Sequence, residues 1–490
     1  MENLIWKRYL KWLLSPPLEP GLAYLAPKHC CMRTVRFIPV FCLLFRCTQL
    51  SAQQPVFAFQ QDDTLLKRKY YNEALKKKDM LLSSLPKDNT KDYKQAYNSM
   101  FETVEDLLIS SRTVSEEKAN NYIRAIVAKI VNANPELKGL DMRVVFSRDY
   151  YPNAFSLGDG TIAFNAGLFV YLDNEAEMAF VICHELAHYY LDHSKKRIDK
   201  MVRTMNSDSL KEEIKRLRKQ QYGVGAQAEK LIRALSFDVR RHSREGETEA
   251  DRVGLRFLKN TGYTGNGFIT CMQKLDKVDD TVLLKEPELS KLLSFPGNPF
   301  KERWIKKESV IFGAMNPDDA SGLTQKEKDS LKTHPDCSRR IALFTDSARA
   351  ISGREFLVDE QLFRKLKEDF IPEIVEEVYK AGNVSLNLYL SLCLLQEGQY
   401  KPLAIYSVAR DLNLIYTYQK DHSLGLFIES ENRKYRESYN LLLRMLYRLR
   451  LNEIAALNAA FCTYYQDQMK GYDGFGEEMN KAKTFLLSHD

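Results

Sequence analysis

The segment His184-Glu185-Leu186-Ala187-His188 has residue types and a spacing that can do chemistry. Histidines at i and i+4 share one face of a helix and can hold a single Zn²⁺, while the glutamate between them stands beside the open coordination position as a general base. The neighbouring Met178, Phe180, Val181, Ile182, Leu186 and Ala187 predict a buried helix. A catalytic zinc takes three protein ligands, so a third must come from elsewhere. Two sources compete: a histidine shortly downstream, or a glutamate on a later helix. His193 follows His188 by five residues with no glycine turn between them. It therefore reads as a residue at the C-terminal end of the same helix, unable to fold back.

The run Ser243-Arg-Glu245-Gly-Glu247-Thr-Glu249-Ala250-Asp251-Arg-Val-Gly254 offers three glutamates. Glu247 and Asp251 are four apart and share a face, and Ala250 and Gly254 form a second such pair, small enough to let this helix approach the histidine helix. That spacing selects Glu247 as the third ligand and Asp251 as the acceptor for a ligand imidazole N–H. Cys183 and Cys337 read as small buried residues.

These residues must be positioned by surrounding elements. Periodicity predicts two charged helices between Asp62 and Ser115, split at Ser83–Lys91, and a third from Glu116 to Asn134 that ends at Pro135. Met142–Phe146 and Thr161–Phe164 read as short strands flanking a loop from Asp149 to Gly160. Helices are expected from Gly167 to Leu172, from Asn174 to about Lys196 and from Arg244 to Lys259, with a charged helical insertion at 198–240 and a long connector at 278–332. From Ile351 onward the pattern is wholly helical.

The division expected is a leader at 1–52, a helical segment at 53–115, a catalytic domain at 116–350 and a helical module at 351–490. The fold class is α+β, predominantly α, with one small sheet. Within the leader, Met32 starts a secretory signal pattern: Arg33 and Arg36, an apolar run from Phe37 to Phe45, then Leu50-Ser51-Ala52. The run is too short to span a bilayer.

Of the chain's net charge of +7, Lys7, Arg8, Lys11, Lys28, Arg33, Arg36 and Arg46 against Glu2 and Glu19 put +5 in the leader. The remaining +2 argues against a nucleic-acid partner. Cys183, Cys271, Cys337, Cys393 and Cys462 lie outside the leader and are too scattered for a disulfide framework.

Together the His184–His188 motif, Glu247-Thr-Glu-Ala-Asp251 and Thr333-His334-Pro335 with Arg340-Ile341 resemble the zinc metallopeptidases typified by HtpX, BepA, the Oma-type mitochondrial protease and the type I CAAX prenyl protease. The match also includes Asn153-Ala154-Phe155 and Gly160–Phe164, similar to the substrate-side strand of that family, and then Gly167-Leu168. The resemblance implies a zincin-like fold, one Zn²⁺ on His184, His188 and Glu247, Glu185 as base, His334 at the oxyanion, and Arg340 holding the His334 turn or lending charge.

The 58 residues between His188 and Glu247, without the spanning helices of HtpX, favour a BepA-like envelope member. An exported endopeptidase for extended or misfolded polypeptides is implied. It would lie in the periplasm or against the membrane on that side, in protein quality control, with outer-membrane assembly proteins as partners of the C-terminal helices. The substrate is expected to pair with the strand around Thr161–Phe164. The alternative is a latent or non-catalytic chaperone of the same fold. Leu395–Tyr406 resembles the turn and second helix of a tetratricopeptide repeat.

Overall fold

The computed structural model describes residues 57, 61–219, 244–276, 284–306, 337–432 and 435–488. The leader, His334 and parts of the insertion and the connector lie outside the described residues.

Helix α1 (Thr64–Ser83) begins where the Asp63 carboxylate accepts the N–H groups of Leu65 and Leu66, satisfying donors that a helix start leaves orphaned. Its partner α2 (Thr90–Ile109) buries the stripe Tyr93, Ala96, Tyr97, Met100, Phe101, Val104, Leu107 and Leu108. Helix α3 (Glu117–Ala133) stops ahead of Pro135.

Among the described residues the sheet has four strands in the order β1, β2, β4, β3: Thr113–Val114, Arg143–Ser147, Thr161–Asn165 and Ala154–Ser156. The central pair β2 and β4 is parallel, and β1 and β3 are antiparallel edges. Every residue of β2 and β4 is buried, because both faces are covered. Val144, Phe146, Ile162 and Phe164 face the main core, while Val145 and Ala163 pack with α2. The sequence reading anticipated β2 and β4 but took 149–160 as a loop. A three-residue strand is too short to leave a periodic signature, and pairing with β4 defines it.

Helix α4 (Ala166–Tyr171) leads to α5 (Glu175–Tyr190), whose residues from Glu175 to Ala187 are all buried. The Asn174 side chain caps α5 by accepting from the Glu177 N–H. Buried Glu175 accepts hydrogen bonds from the Tyr122 and Tyr263 hydroxyls and from the backbone N–H groups of Leu357, Val358 and Asp359. The start of the histidine helix is thereby tied to the segment entering the C-terminal helices.

The single helix expected from Asn174 to Lys196 is two. Asp192 takes a left-handed conformation at φ 56°, which aspartate tolerates without a glycine or proline to announce it. A new helix, α6 (His193–Met205), then starts, followed by α7 (Asp208–Arg218). Helix α6 buries Ile198, Met201, Val202 and Met205 in the core that α2 builds.

Helix α8 spans residues 244–259, and α9 (Asn266–Asp276) packs against both α5 and α11 (Cys337–Arg349). Between α9 and α11 come the short α10 (Leu289–Leu292) and the fully buried Trp304. The C-terminal part is helical throughout: α12 (Glu360–Lys380), α13 (Val384–Glu397), α14 (Lys401–Lys420), α15 (Leu424–Phe427), α16 (Glu437–Arg448), α17 (Leu451–Tyr465) and α18 (Phe475–Leu487). Helices α13 and α14 pack as a hairpin turned at Gly398, which has φ 75°.

Arg148, at the end of β2, is buried against Glu373 of α12 and Asp62 ahead of α1, joining both flanks to the sheet. The architecture is α+β and predominantly α. Cys183, Cys271, Cys337, Cys393 and Cys462 are buried. Among the described residues no helix is long and apolar enough to cross a membrane.

Candidate metal centre

Helix α5 places His184 and His188 one turn apart with their Nε2 atoms 3.0 Å from each other. Helix α8 brings Glu247 to them: its Oε2 lies 3.4 Å from His184 Nε2 and its Oε1 3.4 Å from His188 Nε2. The approach depends on the small pair read from the sequence. Ala250 is fully buried, and a Cβ on Gly254 would stand 3.1 Å from both the N and the Cα of His184.

One donor atom from each of His184, His188 and Glu247 fits within a sphere of mutual distances below 4.8 Å. The two Nε2 atoms are 3.0 Å apart and each is 3.4 Å from a different oxygen of the Glu247 carboxylate, separations close to the edge of about 3.3 Å of a tetrahedron with zinc bonds of about 2.0–2.1 Å. Two imidazoles and a carboxylate with an open side form a catalytic-type zinc donor set. The electrostatics agree. Burial opposes a charge on His184, yet Asp251 and Glu247 together raise its pKa to about 10, so this pocket demands a positive charge between its ligands.

Asp251 Oδ1 is 2.9 Å from His184 Nδ1, and the carboxylate is fully buried. Arg340 of α11 grips it with Nε at 2.6 Å and Nη2 at 2.7 Å. The third nitrogen, Nη1, reaches Glu247 Oε2 at 3.2 Å. Arg340 thus acts on the acidic helix, where the resemblance had it holding the His334 turn or lending charge near the site. Burial pushes the Glu247 carboxyl upward, but Arg340 and the two imidazoles hold it well below the usual carboxylate range.

Glu185 is 8% exposed. Burial raises its pKa to about 7, against the lowering influence of His184 and of the Ser156 backbone N–H. The histidine helix packs against β3.

Among the described residues β3 pairs with β4 on one side only. The Leu157 N–H to Thr161 O and Asn165 N–H to Asn153 O bonds set the alternation, so the backbone groups of Ala154 and Ser156 face the open edge. The expectation that a peptide pairs with Thr161–Phe164 is corrected: β4 is flanked by β2 and β3, and β3 is the edge beside Glu185.

His193 is a second correction. The break at Asp192 turns it back, with Nδ1 2.8 Å from His188 Nδ1 and Nε2 3.2 Å from Glu249 Oε2. His193 was not assigned to the site from sequence; a histidine five residues beyond a ligand was the available signal. His334, expected at the oxyanion, lies outside the described residues.

Residues 117–347 match the model of peptidase family M48. The chain carries an M48 peptidase domain. Relatives include the putative beta-barrel assembly-enhancing protease of Vibrio cholerae, 24% identical over 190 residues, which are 38% of this chain and 37% of that protein. The beta-barrel assembly-enhancing protease of Escherichia coli K12 is 24% identical over 179 residues, 35% of this chain and 36% of that protein. That of Yersinia pestis is 25% identical over 195 residues, 39% and 35% of the two chains. The chain thus matches a little over a third of the length of these relatives. The M48 match takes in α3, the sheet from β2 onward, the histidine helix, α8 and α11.

Proposed function

We propose that this chain is a zinc-dependent endopeptidase that cuts extended or misfolded polypeptides. The observation that carries the reading is the spacing of the His184, His188 and Glu247 donor atoms, with Glu185 buried on the same helix. Zinc held there supplies a Lewis acid that polarises the scissile carbonyl and makes a water nucleophilic at neutral pH.

Glu185 takes the proton of the attacking water and passes it to the leaving amine, the work for which a carboxylate with a pKa near neutrality is suited. Asp251, held by Arg340, orients the His184 ring. A peptide laid along β3 meets the outward backbone groups of Ala154 and Ser156, which favours extended segments with little demand on sequence. His334 is assigned to stabilising the developing oxyanion through the family resemblance.

The setting follows from the relatives, whose names describe proteases that enhance beta-barrel assembly. We assign this chain to envelope protein quality control, exported by the signal segment starting at Met32, with outer-membrane assembly proteins as partners of the C-terminal helices.

The test is zinc content and cleavage of an unfolded protein by wild type and Glu185→Gln. The reading expects one zinc in both and cleavage by wild type alone. If wild type cuts nothing while Glu185→Gln still performs the cellular role, the chain is a binding protein of the same fold.

A further inference from the structure

The geometry points to His193 and Glu249 as positioning residues that fix the ring and tautomer of His188 through an imidazole-to-imidazole-to-carboxylate relay. The inference rests on the metal-centre reading. It adds two residues and a proton assignment to it.

His188 Nε2 faces the other donors, 3.0 Å from His184 Nε2 and 3.4 Å from Glu247 Oε1. A neutral imidazole that offers Nε2 as a lone pair carries its proton on Nδ1. That nitrogen is 2.8 Å from His193 Nδ1, which must then accept. The remaining proton of His193 sits on Nε2, 3.2 Å from Glu249 Oε2. Each of the three groups has one role consistent with its neighbours: His188 donates, His193 accepts and donates, and Glu249 accepts.

The chain path makes the relay possible. On an uninterrupted helix, His193 would lie about 140° around the axis from His188 and about 7.5 Å along it, out of reach. The left-handed Asp192 reverses the direction, so His193 opens α6 against the ligand. The two rings meet edge to face, with centroids 4.9 Å apart. Gly246 of α8 lies against the His193 ring, whose Cε1 and Nδ1 would be 3.6 Å from a Cβ there. The same helix therefore supplies the ligand Glu247, the surface on which His193 rests, and the terminal acceptor Glu249. His193 keeps 12% of its side chain exposed and Glu249 47%, so the relay runs from the ligand to the surface.

The two histidine ligands are thus held differently. His184 has a fully buried carboxylate, Asp251, clamped by Arg340. His188 has a neutral ring, with its carboxylate one step removed. An imidazole acceptor orients the ligand without placing a second full charge beside Glu247.

The test is zinc affinity of the full chain, measured by competition with a chromogenic chelator, for wild type, His193→Phe, His193→Asn and Glu249→Ala, with folding followed by circular dichroism. Phenylalanine keeps the ring and removes the acceptor; asparagine places its Oδ1 near the position of Nδ1. Loss of a hydrogen-bonding partner of a metal ligand weakens binding about 10–100-fold. That loss is expected for His193→Phe, with His193→Asn recovering most of it. Equal affinity in wild type and His193→Phe overturns the relay, as does an equal loss in the Phe and Asn variants, which would make the contribution one of packing alone. Glu249 is half-exposed, so Glu249→Ala keeps the test open if His193→Phe does not fold: a several-fold loss supports the relay and unchanged affinity overturns it. A wild type that binds no zinc refutes the metal centre itself, an outcome distinct from all of these.

Discussion

Replacing Arg340 by methionine tests the electrostatic architecture of the site most directly. Methionine keeps much of the length and removes the two bonds to Asp251 at 2.6 and 2.7 Å and the contact with Glu247 at 3.2 Å. Arg340 is 4% exposed and Asp251 fully buried, so water cannot replace the lost partner. Breaking a buried pair from one side costs about 3–5 kcal/mol. At about 2–4 °C of midpoint per kcal/mol for a segment of this size, the zinc-free variant should melt about 6–20 °C below wild type at pH 7.

The acid dependence has a definite sign. Burial opposes ionisation of Glu247 and Asp251, but Arg340 and the histidines hold both carboxyls below their ordinary values. Their ionised forms therefore contribute stability that is complete above the unfolded pKa of about 4 and is lost as pH falls through the lower folded values. The gap between wild type and Arg340→Met should narrow over that acid range. Thermal unfolding of chelator-treated proteins by circular dichroism measures both quantities. A midpoint loss under about 2 °C at pH 7, or a gap unchanged at pH 3, would refute the reasoning.

Further outcomes follow from the same geometry. Gly254→Ala sets a Cβ 3.1 Å from the His184 backbone, so α8 must retreat by a few tenths of an ångström and carry Glu247 with it. Overpacking costs about 1–3 kcal/mol, offset by about 1 kcal/mol of helix propensity, and zinc competition should show a disproportionate loss of about tenfold. Ala154→Pro removes an edge N–H without touching the ladder to β4; KM for an unfolded protein should rise while zinc affinity stays at the wild-type value, and unchanged kinetics would remove β3 from substrate binding. Zinc at about 100 times its dissociation constant should stabilise wild type by about 2.7 kcal/mol, seen as a raised melting midpoint that Glu247→Ala does not show.

The sequence already contained much of this site because its decisive spacings are local. Residues four apart share a helix face in any fold, so His184 with His188 and Glu247 with Asp251 could be paired before either helix had a position. The small pair Ala250 and Gly254 announced a close helix contact for the same reason. The buried stripes of α2 and α5 and the parallel strands β2 and β4 were legible because their periodicity extends over enough residues to register.

Tertiary structure alone decided what depends on a reversal of direction or on partners distant in the chain. A single left-handed residue, Asp192, turns His193 from the end of one helix into the start of another, and no proline or glycine marks it. β3 exists because β4 pairs with it, and only the strand order shows that β3, and not β4, is the open edge. Arg340 stands 89 residues from Asp251 in the chain, and its grip on that buried carboxylate arises from α11 meeting α8. Helical and strand periods travel with the sequence, whereas the direction of a chain after a turn and the partner of a buried charge are settled by packing.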